Sequence, residues 1–161
     1  MDIDNSAALD LTATGGAVTG IFNFNQAQNA DSSITNTGDI TGSGLNVRGL
    51  GISSSGAPAG GTYTYSVTNS GDFTFDAGAA LGITAYATAE DGVTVTIDNS
   101  GDFDFRTSTG ALSVGISATF DFVDQTAGGA DGTSNVTLTN SGTIMMGTGS
   151  AIVATADRVD I

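Results

Sequence analysis

Val93-Thr94-Val95-Thr96-Ile97-Asp98-Asn99-Ser100-Gly101-Asp102-Phe103-Asp104-Phe105 is the stretch that decides the fold. Apolar and polar residues alternate from Val93 to Asp98, as in a strand with one buried face. Val93, Val95 and Ile97 take the inner face, and Thr94, Thr96 and Asp98 the outer. The same parity carries Asn99 inward, followed after a Ser-Gly-Asp bend by Phe103 and Phe105. A helix fails on period, because apolar residues recur at i, i+2 and i+4.

The kernel repeats. Asn36-Thr37-Gly38-Asp39-Ile40, Asn69-Ser70-Gly71-Asp72-Phe73 and Asn140-Ser141-Gly142-Thr143-Ile144 match Asn99-Ser100-Gly101-Asp102-Phe103, and a decayed copy opens the chain at Asn5-Ser6-Ala7-Ala8-Leu9. The Asn residues are 31, 33, 30 and 41 positions apart. Two residues before each Asn stand Ile3, Ile34, Val67, Ile97 and Leu138, and four after it stand Leu9, Ile40, Phe73, Phe103 and Ile144. A fixed kernel with irregular spacing predicts a stack of coils, each with one variable loop, at 53–62, 90–92 and 124–134.

Each coil reads as three short strands. The first ends at the Asn; the second is brief, as in Phe73-Thr74-Phe75. After a turn near Gly78 or Gly110 comes the third, Ala80-Leu81-Gly82-Ile83-Thr84-Ala85-Tyr86 or Leu112-Ser113-Val114-Gly115-Ile116. The kernel Gly is expected to supply positive φ at its bend. The predicted fold is all-β: a right-handed parallel β-helix of about five coils in one domain over residues 1–161, with an antiparallel β-sandwich as the structural alternative. One coil buries too few side chains to offset the entropy of ordering it, so coils must stack. An inward Asn is a buried amide that needs partners. Asn5, Asn36, Asn69, Asn99 and Asn140 are therefore expected to form a ladder, each bonding the bend and the Asn of the next coil.

Composition narrows function. With 39% apolar residues the chain can bury a core, and its 24 Gly and one Pro suit tight coils. A net charge of −14 with three cations, Arg48, Arg106 and Arg158, argues against nucleic acid and against an anionic membrane surface. There is no Cys, which is compatible with export but does not require it. No apolar run is long enough to span a membrane, and no secretory signal is visible in the acidic opening Met1-Asp2-Ile3-Asp4-Asn5. That opening and the closing Arg158-Val159-Asp160-Ile161 fall at the same phase of the repeat, as expected of a segment of a longer array or of a unit that stacks head to tail.

Several groups are candidates for chemistry. Asp39, Asp72 and Asp102 should stack outside the bends, where they either bond the backbone or hold a cation such as Ca²⁺. Gly128-Gly129-Ala130-Asp131-Gly132 faintly resembles calcium-binding Gly/Asp repeats. The outward pairs Ser33 and Thr35, Ser66 and Thr68, and Thr137 and Thr139 suggest a flat Thr-x-Thr face of the ice-ordering kind, but Asp2, Asp4 and Asp98 interrupt it. Hydrolysis needs two carboxylates, one with a raised pKa; Asp102 with Asp104 and Asp121 with Asp124 are weak pairs. With no Lys and no His, a lyase lacks the usual base. Phe73, Phe75, Phe103 and Phe105 read as stacked core; Tyr63, Tyr65 and Tyr86 stay open between core and surface, with Tyr63, beside a loop, a candidate contact for a glycan or protein.

The kernel, with Val-Thr-Val-Thr before it and Gly-rich small-residue stretches after it, resembles the passenger region of bacterial autotransporters over nearly the whole chain. The resemblance implies a right-handed parallel β-helix, export across the outer membrane through a C-terminal barrel, and a place on the bacterial surface. It implies a non-enzymatic adhesin or stalk whose partner is a protein or glycan of a host or neighbouring cell, or another copy of itself. The alternatives are a filament subunit stacking end to end and a polysaccharide-active enzyme.

Overall fold

The computed structural model describes residues 1–25, 31–54, 63–88, 92–121, 134–156 and 158–161. It is a parallel β-solenoid of about 4 turns, 76% strand, with no helix among the described residues. The kernel strands form one sheet. In spatial order these are β1 (Asp2–Asn5), β3 (Asp31–Asn36), β5 (Tyr63–Asn69), β7 (Val93–Asn99), β10 (Asn135–Asn140) and β13 (Arg158–Asp160). A second sheet holds β2 (Leu9–Asn25), β4 (Ile40–Ser54), β6 (Phe73–Thr88), β8 (Phe103–Phe105), β9 (Val114–Asp121), β11 (Ile144–Met146) and β12 (Ser150–Thr155). Every pairing among the described residues is parallel, which removes the sandwich.

The register follows the kernel. Asn5 pairs with Asn36, Asn36 with Asn69, Asn69 with Asn99 and Asn99 with Asn140. Three apolar columns fill the interior. The first is Ile3, Ile34, Val67, Ile97 and Leu138, and the second Leu9, Ile40, Phe73, Phe103 and Ile144. The third, Ile21, Leu50, Ile83, Ile116 and Ile152, comes from the far stretch of the second sheet. Phe73 lies face to face on Phe103 at 4.5 Å between ring centroids, and Phe75 on Phe105 at 4.8 Å. These separations match the rise of about 4.8 Å from strand to strand, so the backbone ladder sets the aromatic stack.

Three expectations need correction. The coils number about four rather than five. Five aligned kernels enclose only four full windings, and the last circuit returns through the short β11, β12 and β13. The second and third strands are not separate in the first three circuits, where β2, β4 and β6 each run through the corner. Gly16 (φ 110°) and Gly44 (φ 134°) turn the backbone there while the ladder continues across an irregularity between Ala13 and Ala17. The strands separate only in the later circuits, and the expected strand start at Leu112 is an exposed turn, with β9 beginning at Val114.

The kernel glycines serve a different purpose from the one expected. None of Gly38, Gly71, Gly101 and Gly142 has positive φ. A Cβ on Gly71 would lie 2.1 Å from the Gly38 carbonyl oxygen, and one on Gly101 2.0 Å from that of Gly71. They are glycine because one bend rests directly on the next.

Candidate functional site

The five expected Asn residues form one continuous ladder. Nδ2 donates to Oδ1 of the following coil from Asn5 to Asn36 (2.7 Å), Asn36 to Asn69 (2.8 Å), Asn69 to Asn99 (2.8 Å) and Asn99 to Asn140 (2.7 Å). Each Nδ2 also donates to the carbonyl two residues on, from Ala7 to Gly142, at 2.7–2.8 Å. Asn36, Asn69 and Asn99 are buried, and Asn5 and Asn140 half-buried. Both protons of a buried amide are thus satisfied at every step.

The Asp column is assembled too, and its carboxylates are engaged with the backbone. Asp39 Oδ1 accepts the Asp72 N–H (3.0 Å), Asp72 Oδ1 that of Asp102 (2.8 Å) and Asp102 Oδ1 that of Thr143 (2.7 Å). Among the described residues no group of three or more His, Cys, Asp or Glu is placed to hold a metal ion. The Gly128–Gly132 segment and the pairing of Asp121 with Asp124 lie outside the described residues. Of the weak pair Asp102 and Asp104, Asp104 is engaged by Arg106, which donates to it through Nε (2.9 Å) and Nη2 (2.6 Å). Those hydrogen bonds hold the Asp104 carboxyl below its ordinary range, the reverse of what a general acid needs.

Buried polar groups beyond the Asn column were not foreseen. Where the chain leaves the sheet after β8, Ser108 Oγ donates to the Phe75 carbonyl (3.1 Å) and Ser113 Oγ accepts the Ala80 N–H (3.1 Å). The two hydroxyls replace ladder bonds that the broken strand no longer supplies. Tyr63, a candidate surface contact from its place beside a loop, is 2% exposed and packs against Tyr65. Its parity within β5 is that of Val67, which turns it into the core.

The accessible aromatics lie on the outer face of the second sheet. Phe22 is 44% and Tyr86 42% exposed, and Phe24 stands beside Phe22 at 6.4 Å between centroids. Phe22 pairs in register with Gly51, and Gly51 with Thr84. A Cβ on Gly51 would come within 2.5 Å of Phe22 Cδ2 and 3.2 Å of Arg48 Cδ, so ring and stem both rest on bare backbone. The Arg48 guanidinium lies 5.9 Å from the Phe22 ring centroid, in cation–π range. Phe22, Arg48, Thr84, Tyr86, Ser117 and Thr119 line a groove of about 320 Å³. A second hollow of about 290 Å³ adjoins it, sharing Arg48 and Leu81. Among the described residues Arg48 makes no salt bridge, and its buried Nε has no hydrogen-bond partner. Partial burial pulls its pKa below the ordinary arginine value.

A second strand read as brief stops short of Arg48, so this face does not show in the sequence. The parity of β4, once extended to Ser54, shows it. Compared with protein families, curated proteins and solved structures, the chain matches none, so its assignment rests on its own register: it is a parallel β-solenoid.

Proposed function

We propose that the chain is a non-enzymatic structural segment of an exported or surface-displayed protein, a solenoid stalk whose outer faces and loops carry adhesive contacts. One observation carries this reading: the polar side chains that repeat with the coil are spent between coils. The Asn amides bond one another, and the Asp carboxylates bond the backbone of the next bend. A repeat of this kind extends a rod at constant cross-section, with each coil held mainly by its neighbours. The acidic, thiol-free composition suits a protein that folds outside the cytoplasm. The kernel's likeness to autotransporter passengers extends the proposal to a bacterial surface, with a protein or glycan of another cell as partner.

The test uses beads coated with the purified chain, applied to epithelial and bacterial cell layers, with parallel incubation on polygalacturonate and alginate. Attachment without polysaccharide breakdown is the expected result. Release of unsaturated or new reducing ends overturns the reading in favour of an enzyme. A second reading, end-to-end assembly, is favoured by the one-way ladder: Asn5 presents an acceptor and Asn140 a donor at its two extremes. Long fibres at low protein concentration would select it.

A further inference from the structure

We propose that the groove around Arg48 binds an acidic sugar, with the guanidinium taking the carboxylate and Phe22 and Tyr86 offering faces to the pyranose ring. The charge argument comes first. The chain carries 17 acidic residues, yet none of those described pairs with Arg48, whereas Arg106 is paired with Asp104. The guanidinium is half-buried, and no described acid pairs with it; its Nε is enclosed, so the donors left for a planar carboxylate are the terminal nitrogens.

The surroundings specify the rest of the ligand. Phe22 and Tyr86 are large aromatic rings, each less than half exposed, on an outer face where small polar residues would suffice. Sugar rings present flat C–H faces to aromatic rings and hydroxyls at their edges. The groove offers hydroxyls in the same place: Ser117 and Thr119 stand 3.3 Å apart, and Thr84 bonds the Leu50 carbonyl at 3.3 Å. A hollow of about 320 Å³ is near the lower limit for ligand sites, roughly 300–1,000 Å³ in general. The adjoining hollow beyond Arg48 lengthens it into a track, which suits an oligosaccharide better than a single sugar. Nucleic acids and other polyphosphates fit poorly, because a net charge of −14 repels a chain of closely spaced anions while one cation can hold one carboxylate.

This inference gives the adhesive reading a ligand class, but its measurement does not depend on that reading. The free chain is titrated with tri-galacturonic acid and with its methyl ester, followed by amide NMR shifts. The acid should bind and shift residues around Arg48 and Thr84, and the ester should bind about tenfold more weakly, the loss of one charge-assisted hydrogen-bonded pair. Arg48→Gln should erase the difference between acid and ester, and Arg48→Lys should keep part of it. Phe22→Ser and Tyr86→Ser should weaken acid and ester alike. Melting curves confirm that each variant folds. If the Arg48 variants do not fold, the acid–ester comparison on the unaltered chain and on Tyr86→Ser decides. Equal binding of acid and ester, or unchanged affinity in folded Arg48→Gln, overturns the proposal. Tighter binding of a tetra-glutamate peptide than of the sugar also overturns it and assigns the groove to a protein. Beads that fail to attach to cells while the sugar still binds would remove the adhesive role and leave the site standing.

Discussion

Replacing Asn99 by leucine tests the ladder at its most enclosed step. Asn99 donates to Gly101 O and Asn140 Oδ1 and accepts from Asn69 Nδ2, three bonds of 2.7–2.8 Å. Leucine removes all three. It strands two buried partners, the second proton of Asn69 Nδ2 and the Gly101 carbonyl, while Asn140 Oδ1 is near enough to solvent to find water. Each stranded buried group costs about 1–3 kcal/mol. The leucine side chain returns about 1–2 kcal/mol of apolar burial. Taking the middle of both ranges, the net expectation is about 2.5 kcal/mol of destabilisation, which for a chain of this size lowers Tm by about 5–10 °C. Asn140→Leu is the internal control: it strands one buried group, a proton of Asn99 Nδ2, so it should cost about half as much. The assay is urea and thermal unfolding followed by circular dichroism, with amide hydrogen exchange to show that protection is lost first in β5, β7 and β10. Equal costs for the two variants, or an unchanged Tm for Asn99→Leu, would refute the claim that enclosure makes the amide ladder cohesive.

Other perturbations follow from the same geometry. Gly71→Ala, whose methyl would press on the Gly38 carbonyl, should cost about 3 kcal/mol or more in chemical denaturation, whereas Gly15→Ala, with nothing within 4 Å, should be near neutral. Phe103→Ala should cost about 3–5 kcal/mol, because a fully buried ring stacked on Phe73 is lost. Tyr65→Phe should stabilise by about 1 kcal/mol, since Tyr65 Oη is buried without a hydrogen bond. Burial pushes that phenol up; the nearby Ser54 hydroxyl, too poorly placed for a hydrogen bond, opposes the rise, and Tyr63 adds to it. A raised folded value means that stability is fully present below the ordinary tyrosine pKa of about 10 and declines as pH climbs through the raised one. Tyr65→Phe should flatten this alkaline decline in Tm-against-pH scans. Asp72→Asn should leave Tm unchanged or raise it, because the amide oxygen still accepts the Asp102 N–H while one charge leaves the acidic column; Asp72→Ala should lower it.

The parts of this architecture that recur with the coil were legible before any coordinates. Alternation from Val93 to Ile97 placed Asn99, Phe103 and Phe105 inside, and all three are buried. A repeated residue at one parity samples the same environment in every coil, so the pattern outweighs any single position. Features that do not repeat escaped. Tyr63 was assigned by proximity to a loop when its parity already put it in the core. The kernel glycines were read through dihedral freedom, whereas contact between successive bends governs them, and such contact is invisible until coils are stacked. The Arg48 groove joins residues from four circuits, with Phe22, Arg48, Tyr86 and Ser117 each on a different one, and no local stretch of sequence holds more than one of these four. Long-range juxtaposition of unlike residues leaves no periodic trace.

The spacing of the last kernels has an architectural consequence. Asn69 and Asn99 are 30 residues apart and Asn99 and Asn140 are 41 apart, a difference of 11 residues, yet both pairs stand in direct register with amides 2.7–2.8 Å from each other. The longer circuit leaves the amide ladder and the strand register unchanged. The connection between β9 and β10 is therefore a natural grafting point, where a foreign peptide or a small folded cargo can be spliced while the rod on either side keeps its pitch.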